Sequence, residues 1–382
     1  MKRPISLIEK GLLGVAIGDV PRLLPGLSLA ALLAWAGERL SEAIGVSLLG
    51  FARSPVSPVI VAIALGMVLR NAVRLPALFE PGLDFSVRKV LRLGIILLGI
   101  RLSVFDVFRL GAVGVPIVVT CIAGAILLTG FLARRLALPE RLGTLIAVGT
   151  SICGVSAIVA AAPAIEAEDE EVCYSIAVIT LFGLAATLLY PYLAYHVFRH
   201  NAVMAGLFLG TSIHETAQVA GAGMIYADAF AAPLGLDVAT VAKLVRNVFM
   251  AAAIPLLAFL HARRTSSPGT RRGPGAARLF PLFILGFIAL AVFRSAGEAG
   301  IGAGGAAFGV WGPEAWAGLK GLFQDLAAFL LVVALAAVGL KTRFATFKGL
   351  GLKPFLAGLG AAAAVGAVSF LAISLLGRWI AY

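Results

Sequence analysis

Two tetrapeptides sit in the middle of long apolar stretches: Gly149-Thr150-Ser151-Ile152 and Gly210-Thr211-Ser212-Ile213. The first runs on into Cys153, Gly154 and Ser156, the second into His214, Glu215 and Gln218. Polar groups deep in an apolar segment are costly and mark function by default. A Gly-Thr-Ser break in a membrane helix frees backbone groups, which is tolerated only where protein or a water-filled cavity satisfies them. Ser212 and Glu215 have the S-x-x-E spacing of a capping box. Ser151 can cap the helix after it in the same way, although Gly154 leaves that box incomplete. Read as helix starts at Gly149–Ser151 and Gly210–Ser212, these breaks put two half-helix N-termini near mid-depth, where unpaired N–H groups and dipoles suit an anion. The competing reading is that Gly, Ser and Thr merely let two helices pack closely.

His214 and Gln218 are one turn apart and share a face. A His and a Glu at this depth can carry protons or pair with a cation. Lys243, Arg246 and Asn247 share another face by their i, i+3, i+4 spacing. Glu215 and Arg246 are the charges deepest in their segments, so direct or water-bridged pairing within about 8 Å is expected. Gln324 and Asp325 read as the start of a helix, with Asp325 as a dipole partner. Catalytic patterns are missing: neither tetrapeptide is a G-x-S-x-G elbow, His214-Glu215 lacks the second His of H-E-x-x-H, and there is no P-loop. The expectation is a non-enzyme with no cofactor and no metal site, whose transport is secondary or passive.

The elements that must position these residues follow from composition. Of the 382 residues 60% are hydrophobic and only 13% charged, too few charges to cover a soluble surface. The fold class expected is all-α: a polytopic membrane protein with about 11 transmembrane helices, inverted repeats and two broken helices. The apolar runs fall at 25–45, 56–73, 89–106, 111–133, 142–165, 171–196, 201–226, 238–260, 279–296, 322–340 and 354–378. They do not alternate, which argues against a barrel. Net charge is +12. The basic residues lie in short gaps between apolar runs, so the balance reads as positive-inside bias and not as a nucleic-acid surface. With the N-terminus cytoplasmic, the gaps hold 22 Lys and Arg inside and 7 outside, which supports this register of spans and places the C-terminus outside. In that register the acidic run 166–171 is outside. The first apolar run lacks the features of a cleavable signal peptide. Cys121, Cys153 and Cys173 lie in or beside apolar segments without metal-ligand spacing and read as inert. The organisation expected is a cytoplasmic segment at 1–24, helices one to eight over 25–260, a basic Ser/Pro/Gly-rich loop at 261–278 and helices nine to eleven over 279–382.

Segment 98–111 resembles 338–351, and the two fall on opposite sides, as an inverted repeat requires. The two G-T-S-I helices are separated by one span. Either one of them is re-entrant or the tetrapeptides are convergent. LGMVLRN (65–71), LRLGIILLGIRLS (91–103), GTSICGVSAIVAAAPAI (149–165), GLFLGTSIHETAQVAGAG (206–223) and the K-x-x-R of Lys243 and Arg246 together resemble the YeiH-type family of proposed bacterial sulfate exporters. The resemblance implies an inverted-repeat secondary transporter with crossing broken helices, a panel-like second domain and export of a small sulfur oxyanion. It implies functional roles for Ser151, Cys153, Gly154, Ser156, His214, Glu215, Gln218, Lys243 and Arg246.

The combined expectation is a secondary transporter of a small inorganic or sulfonate anion, coupled to protons or Na+ and embedded in the lipid bilayer. Gly149, Thr150, Ser151, Gly154, Ser156, Gly210, Thr211 and Ser212 form its anion site. His214, Glu215, Gln218, Lys243, Arg246 and Asn247 serve coupling and charge balance. Ser151→Ala and Ser212→Ala are each expected to weaken the anion by about 1–2 kcal/mol. The alternatives are an anion channel and a membrane sensor without transport.

Overall fold

The computed structural model describes residues 17–48, 54, 57–250, 252–256, 282–345 and 351–376. The basic loop 261–278 and residues 1–16 lie outside the described residues. Each of the eleven apolar runs falls on a helix or a broken pair of helices, and no strand occurs among the described residues. The elements are α1 (Leu24–Glu42), α2 (Pro58–Ala72), α3 (Glu80–Phe85), α4 (Leu91–Leu98), α5 (Val104–Arg135), α6 (Glu140–Ser151) and α7 (Val155–Ala161). They continue as α8 (Asp169–Val197), α9 (Ala202–Ser212), α10 (Thr216–Phe230), α11 (Pro233–Val248), α12 (Phe283–Gly304), α13 (Pro313–Lys341) and α14 (Leu352–Leu376). A π-helical turn, Ser86–Val90, joins α3 to α4 as one rod. Among the described residues, six helices are by themselves long and apolar enough to cross a bilayer. The protein is a multi-pass helical membrane protein.

Local sequence sets the starts. Ser57 accepts from the Val59 N–H at the head of α2, with Pro58 at the first helical position. Ser103 and Asp106 form a reciprocal capping box on α5. Asn201 accepts from both Val203 and Met204 N–H at the head of α9.

Contacts between helices fix the direction of each. Arg101, at the end of the α3–α4 rod, pairs with Asp237 near the start of α11. Ser57 donates to Asp228 at the end of α10. These define one face of the molecule, the Asp237 face. Lys341 pairs with Asp84, and Arg70 and Arg343 with Glu80, at the opposite Lys341 face. The helices α1, α2, α3–α4, α5, α8, α11, α12, α13 and α14 run from one face to the other.

The remaining two segments do not cross. In the first, α6 and α7 fold back on each other. The Ile158 side chain lies where a Cβ on Gly149 would sit, 2.8 Å away. Arg141 pairs with Glu168 at 3.9 Å, although the 26 residues between them would reach far across the membrane if they continued straight. In the second, Gly206 packs on Gly235 and Gly210 on Ala239, so α9 runs parallel to α11. Thr216 meets Asn247 and Tyr226 meets Gly235, so α10 runs antiparallel to it. Both broken segments are therefore re-entrant hairpins, entering from opposite faces. The open alternative between full and re-entrant spans is decided in favour of re-entry for both. As a consequence the acidic run 166–171 lies on the Lys341 face, with Arg141, and Arg199 moves to the Asp237 face. That corrects the sidedness read from the sequence at these two loops, because each hairpin returns the chain to the side it came from.

Hairpin and following span, α6–α7–α8 and α9–α10–α11, repeat with inverted orientation, and the G-T-S-I tetrapeptides occupy matching places in the two copies. The other proposed repeat behaves consistently: Arg101 lies at one face and Lys341 at the other, while 346–350 fall outside the described residues. Around this core, α1, α2, α4, α12 and α13 pack as a second layer. The α2–α13 approach depends on glycine: a Cβ on Gly66 would sit 2.7 Å from the Ala336 carbonyl oxygen.

Candidate functional site

The two hairpins meet tip to tip. The first tip is Ile152-Cys153-Gly154 and the second Ile213-His214-Glu215. Both breaks come three residues later than the sequence suggested. The reason lies in the hydroxyls. Ser151 Oγ donates to the Val148 carbonyl at 3.2 Å and Ser212 Oγ to Phe208 at 2.5 Å. Thr150 and Thr211 donate to the Ile146 and Leu207 carbonyls, both at 2.6 Å. These hydroxyls bond back along their own helices, so the tetrapeptides end α6 and α9 and do not cap the helices that follow. Ser151 and Ser212 as N-caps are thus corrected.

The cap of α10 is Glu215. Its carboxylate accepts from the Gln218 N–H, and Gln218 Oε1 accepts from the Glu215 N–H at 3.2 Å. The capping box exists, shifted by three residues from Ser212–Glu215 to Glu215–Gln218. Gln218 Nε2 also donates to the Thr180 carbonyl of α8 at 3.4 Å. Across the tips, the Val155 N–H faces the Glu215 carboxylate. Gly154 has φ +68°, and a Cβ there would lie 2.4 Å from Glu215 Cγ. Glycine at 154 therefore permits both the left-handed turn and the approach of the opposite hairpin.

Two cations on α11 complete the centre. Lys243 Nζ donates to three carbonyls: Ile152 at 3.0 Å, Ile213 at 3.0 Å and His214 at 2.5 Å. Three acceptors match the three protons of an ammonium group. Arg246 donates from Nε to Ser151 at 2.8 Å, from Nη1 to Thr211 at 2.7 Å and Ile213 at 3.1 Å, and from Nη2 to the Thr150 carbonyl. Both side chains are fully buried. Carbonyls that the ends of α6 and α9 leave without helical partners are thereby satisfied by positive charge, as the dipoles at helix C-termini favour. Glu215 and Arg246 do not pair directly: Arg246 directs its donors to carbonyls, and the cation acting on Glu215 is Lys243.

The remaining predicted residues gather at the same place, with one exception. Asn247 Nδ2 donates to Thr216 Oγ1 at 3.1 Å, while its Oδ1 is buried without a partner. His214 is buried beside the Thr150 carbonyl, and its Nδ1 also lacks a partner. Gly149 and Gly210 let α8 and α11 approach the hairpins. Ser156, two residues beyond Gly154, is exposed and does not join the centre. Cys153 Sγ contacts Met250 Sδ at 3.3 Å and is buried. Sequence reasoning missed Thr216 and Ser369. Thr216 directly follows His214-Glu215, and Ser369 is a polar residue inside the apolar run of α14, where it shares a 2.6 Å hydrogen bond with Thr211. No cluster of His, Cys, Asp and Glu able to hold a metal occurs among the described residues.

The family described as Conserved hypothetical protein 698 matches residues 25–358, a stretch that includes both hairpins and the Lys243–Arg246 helix. The chain belongs to this family. A UPF0324 membrane protein of Corynebacterium glutamicum is 34% identical over 83% of this chain and 84% of its own length. Similar proteins called UPF0324 membrane protein occur in Bacillus cereus, 32% identical over 92% of this chain and 94% of theirs, and in Nitratidesulfovibrio vulgaris, 31% identical over 83% of each. No solved structure matches.

Proposed function

We propose that this protein is a secondary transporter of a small anion, with the substrate held where the hairpin tips meet. The observation that carries the reading is the pair of opposed re-entrant tips with Lys243 and Arg246 buried between them. Irregular backbone at mid-depth facing a charged centre is how many carriers build a site reachable alternately from two sides. Lys243 and Arg246 supply the positive field. At this centre His214 Nδ1 is buried without a protein partner and can meet a ligand, whereas the unpartnered atom of Asn247 is Oδ1, an acceptor. Arg246 has five N–H groups and uses four of them on carbonyls. Thr150, Ser151, Thr211 and Ser212 wall the site and reach an anion only by turning their hydroxyls away from the helix. The resemblance to YeiH-type exporters supports a sulfur oxyanion such as sulfate or sulfite, carried outward across the bacterial inner membrane, with the N-terminus cytoplasmic and protons or Na+ as coupling ions. An anion channel and a sensor remain the competing readings.

The test is a thermal-shift screen of the purified protein against sulfate, sulfite, simple sulfonates and nitrate, followed by flux in liposomes. Saturable, exchangeable flux of an anion that also stabilises the protein supports a carrier. Non-saturating flux indicates a channel, and stabilisation without flux a sensor.

A further inference from the structure

The charges at the hairpin tips do not balance. Two fixed cations, Lys243 and Arg246, lie there fully buried. Lys243 has an acceptor for each ammonium proton, and Arg246 does not deprotonate in proteins. Two helix C-termini and two helix N-termini converge on the same point, so their dipoles offset one another. One carboxylate, Glu215, acts electrostatically on Lys243, and none acts on Arg246. The other acidic groups of the hairpins and their spans lie toward the faces: Asp228 with Ser57, Asp237 with Arg101, Glu168 with Arg141, and Glu140, Glu166, Asp169, Glu170 and Glu171 at the ends of α6, α7 and α8. The groups facing Glu215 are Lys243 of α11, Cys153 and the Val155 N–H of the opposite tip, and Gln218 of its own hairpin. From α8 the nearest polar group is the Thr180 carbonyl, which does not titrate. The centre thus carries one positive charge in excess with Glu215 ionised, and two with Glu215 protonated. A buried charge without a partner is strongly destabilising, so the bound anion must bring the matching charge.

Resting on the proposed anion transport, we infer that Glu215 sets the coupling by charge: a monovalent anion binds with Glu215 ionised, and a divalent anion binds only with one proton on Glu215. The proton comes from the solution on the side the anion enters and leaves with it. Glu215 is suited to this because its carboxylate already occupies N–H groups of both tips, those of Gln218 and Val155. Protonation weakens its hold on those donors and frees them for the incoming oxyanion.

The experiment uses the purified full chain in liposomes with a luminal pH dye. Sulfate serves as the dianion and nitrate as the monoanion. The expected count is one proton per sulfate and none per nitrate. Linkage further requires sulfate affinity to fall about tenfold per pH unit above the titration of Glu215, with nitrate affinity flat over the same range. Glu215→Gln fixes the doubly positive state. It should make sulfate binding independent of pH and abolish proton movement with sulfate, while nitrate still moves without a proton. His214→Gln should lower flux but keep the proton count. Sulfate moving without a proton, nitrate moving with one, or a count lost in His214→Gln and kept in Glu215→Gln overturns the inference while leaving anion transport intact. If Glu215→Gln does not fold, the wild-type counts decide alone. If neither anion binds nor moves, the transport reading and this inference fall together.

Discussion

The two hairpins begin alike and end differently. Each contributes three backbone carbonyls to the cations of α11: Thr150, Ser151 and Ile152 from the first, Thr211, Ile213 and His214 from the second. The tetrapeptides, with His214, therefore build a receptor for Lys243 and Arg246 from both sides, although the second hairpin uses the His214 carbonyl and not that of Ser212. After the tetrapeptides the chains diverge. Cys153-Gly154 supplies a neutral tip with open space, and His214-Glu215 supplies charge that fills that space. The common part is architecture and the divergent part is chemistry. Two copies of the charged tip would put two carboxylates in contact, and two copies of the neutral tip would leave both cations uncompensated.

The topology behind this comparison gives an all-or-none test. Cys173 is exposed at the start of α8, and Cys121 and Cys153 are buried. A membrane-impermeant thiol reagent should label Cys173 from the Lys341 face only, and an Arg199→Cys substitution only from the Asp237 face. Labelling of the two from the reverse sides would mean that the broken helices span and are not hairpins. Next in size is Arg246→Ala, which strips partners from both tips at once. The carbonyls of Thr150, Ser151 and Thr211 lose this donor at about 1–3 kcal/mol each, partly offset by removal of a buried charge without a carboxylate partner. A net loss of stability is expected, read as thermal unfolding in detergent. Arg246→Lys should recover only part of it, because one ammonium lacks the fork that reaches Thr150, Ser151, Thr211 and Ile213 together.

Gly154→Ala tests the asymmetry itself. The strained φ costs about 1–3 kcal/mol and the new methyl displaces Glu215, so transport should be lost while the protein still folds. Normal flux in that variant would show that the tips need not touch. The smallest effects belong to the shared hydroxyls. Ser151→Ala and Ser212→Ala each remove a bond to the helix's own carbonyl and should cost about 0.5–1.5 kcal/mol of stability. If affinity for sulfate falls by a similar amount while stability holds, the hydroxyls belong to the anion and not to the helix ends.

Most of the fold was readable because apolar length and charge placement act residue by residue. The apolar runs, the opposite placement of 98–111 and 338–351, and the presence of Lys243, Arg246, His214 and Glu215 deep in their segments followed from local pattern, whereas the direct Glu215–Arg246 pairing expected from it did not. Two further things did not follow. Whether α6 and α7 continue or fold back depends on the left-handed turn at Gly154 and on the packing of Ile158 against Gly149, contacts that hydropathy does not encode. The shift of the capping box arose because Ser212 had two available partners. The carbonyl of Phe208, four residues back, competed with the N–H three residues ahead, and the cations of α11 tipped the balance by stabilising the carbonyl end of α9.

The placement of Lys243 and Arg246 also has a consequence for biosynthesis. The Arg246–Ser151 bond joins positions 95 residues apart, so the first hairpin leaves the ribosome long before the side chains that satisfy its tip exist. Until α11 arrives, the carbonyls of Thr150, Ser151 and Ile152 must find water or translocon surface, because lipid offers no donors. The first hairpin should therefore enter the bilayer late, after α11 is made, with α8 and the second hairpin inserted around a vacancy. A ribosome-stalled chain ending before Lys243 should leave the first hairpin accessible to water-soluble reagents along its whole length, and one extended past Met250 should protect it.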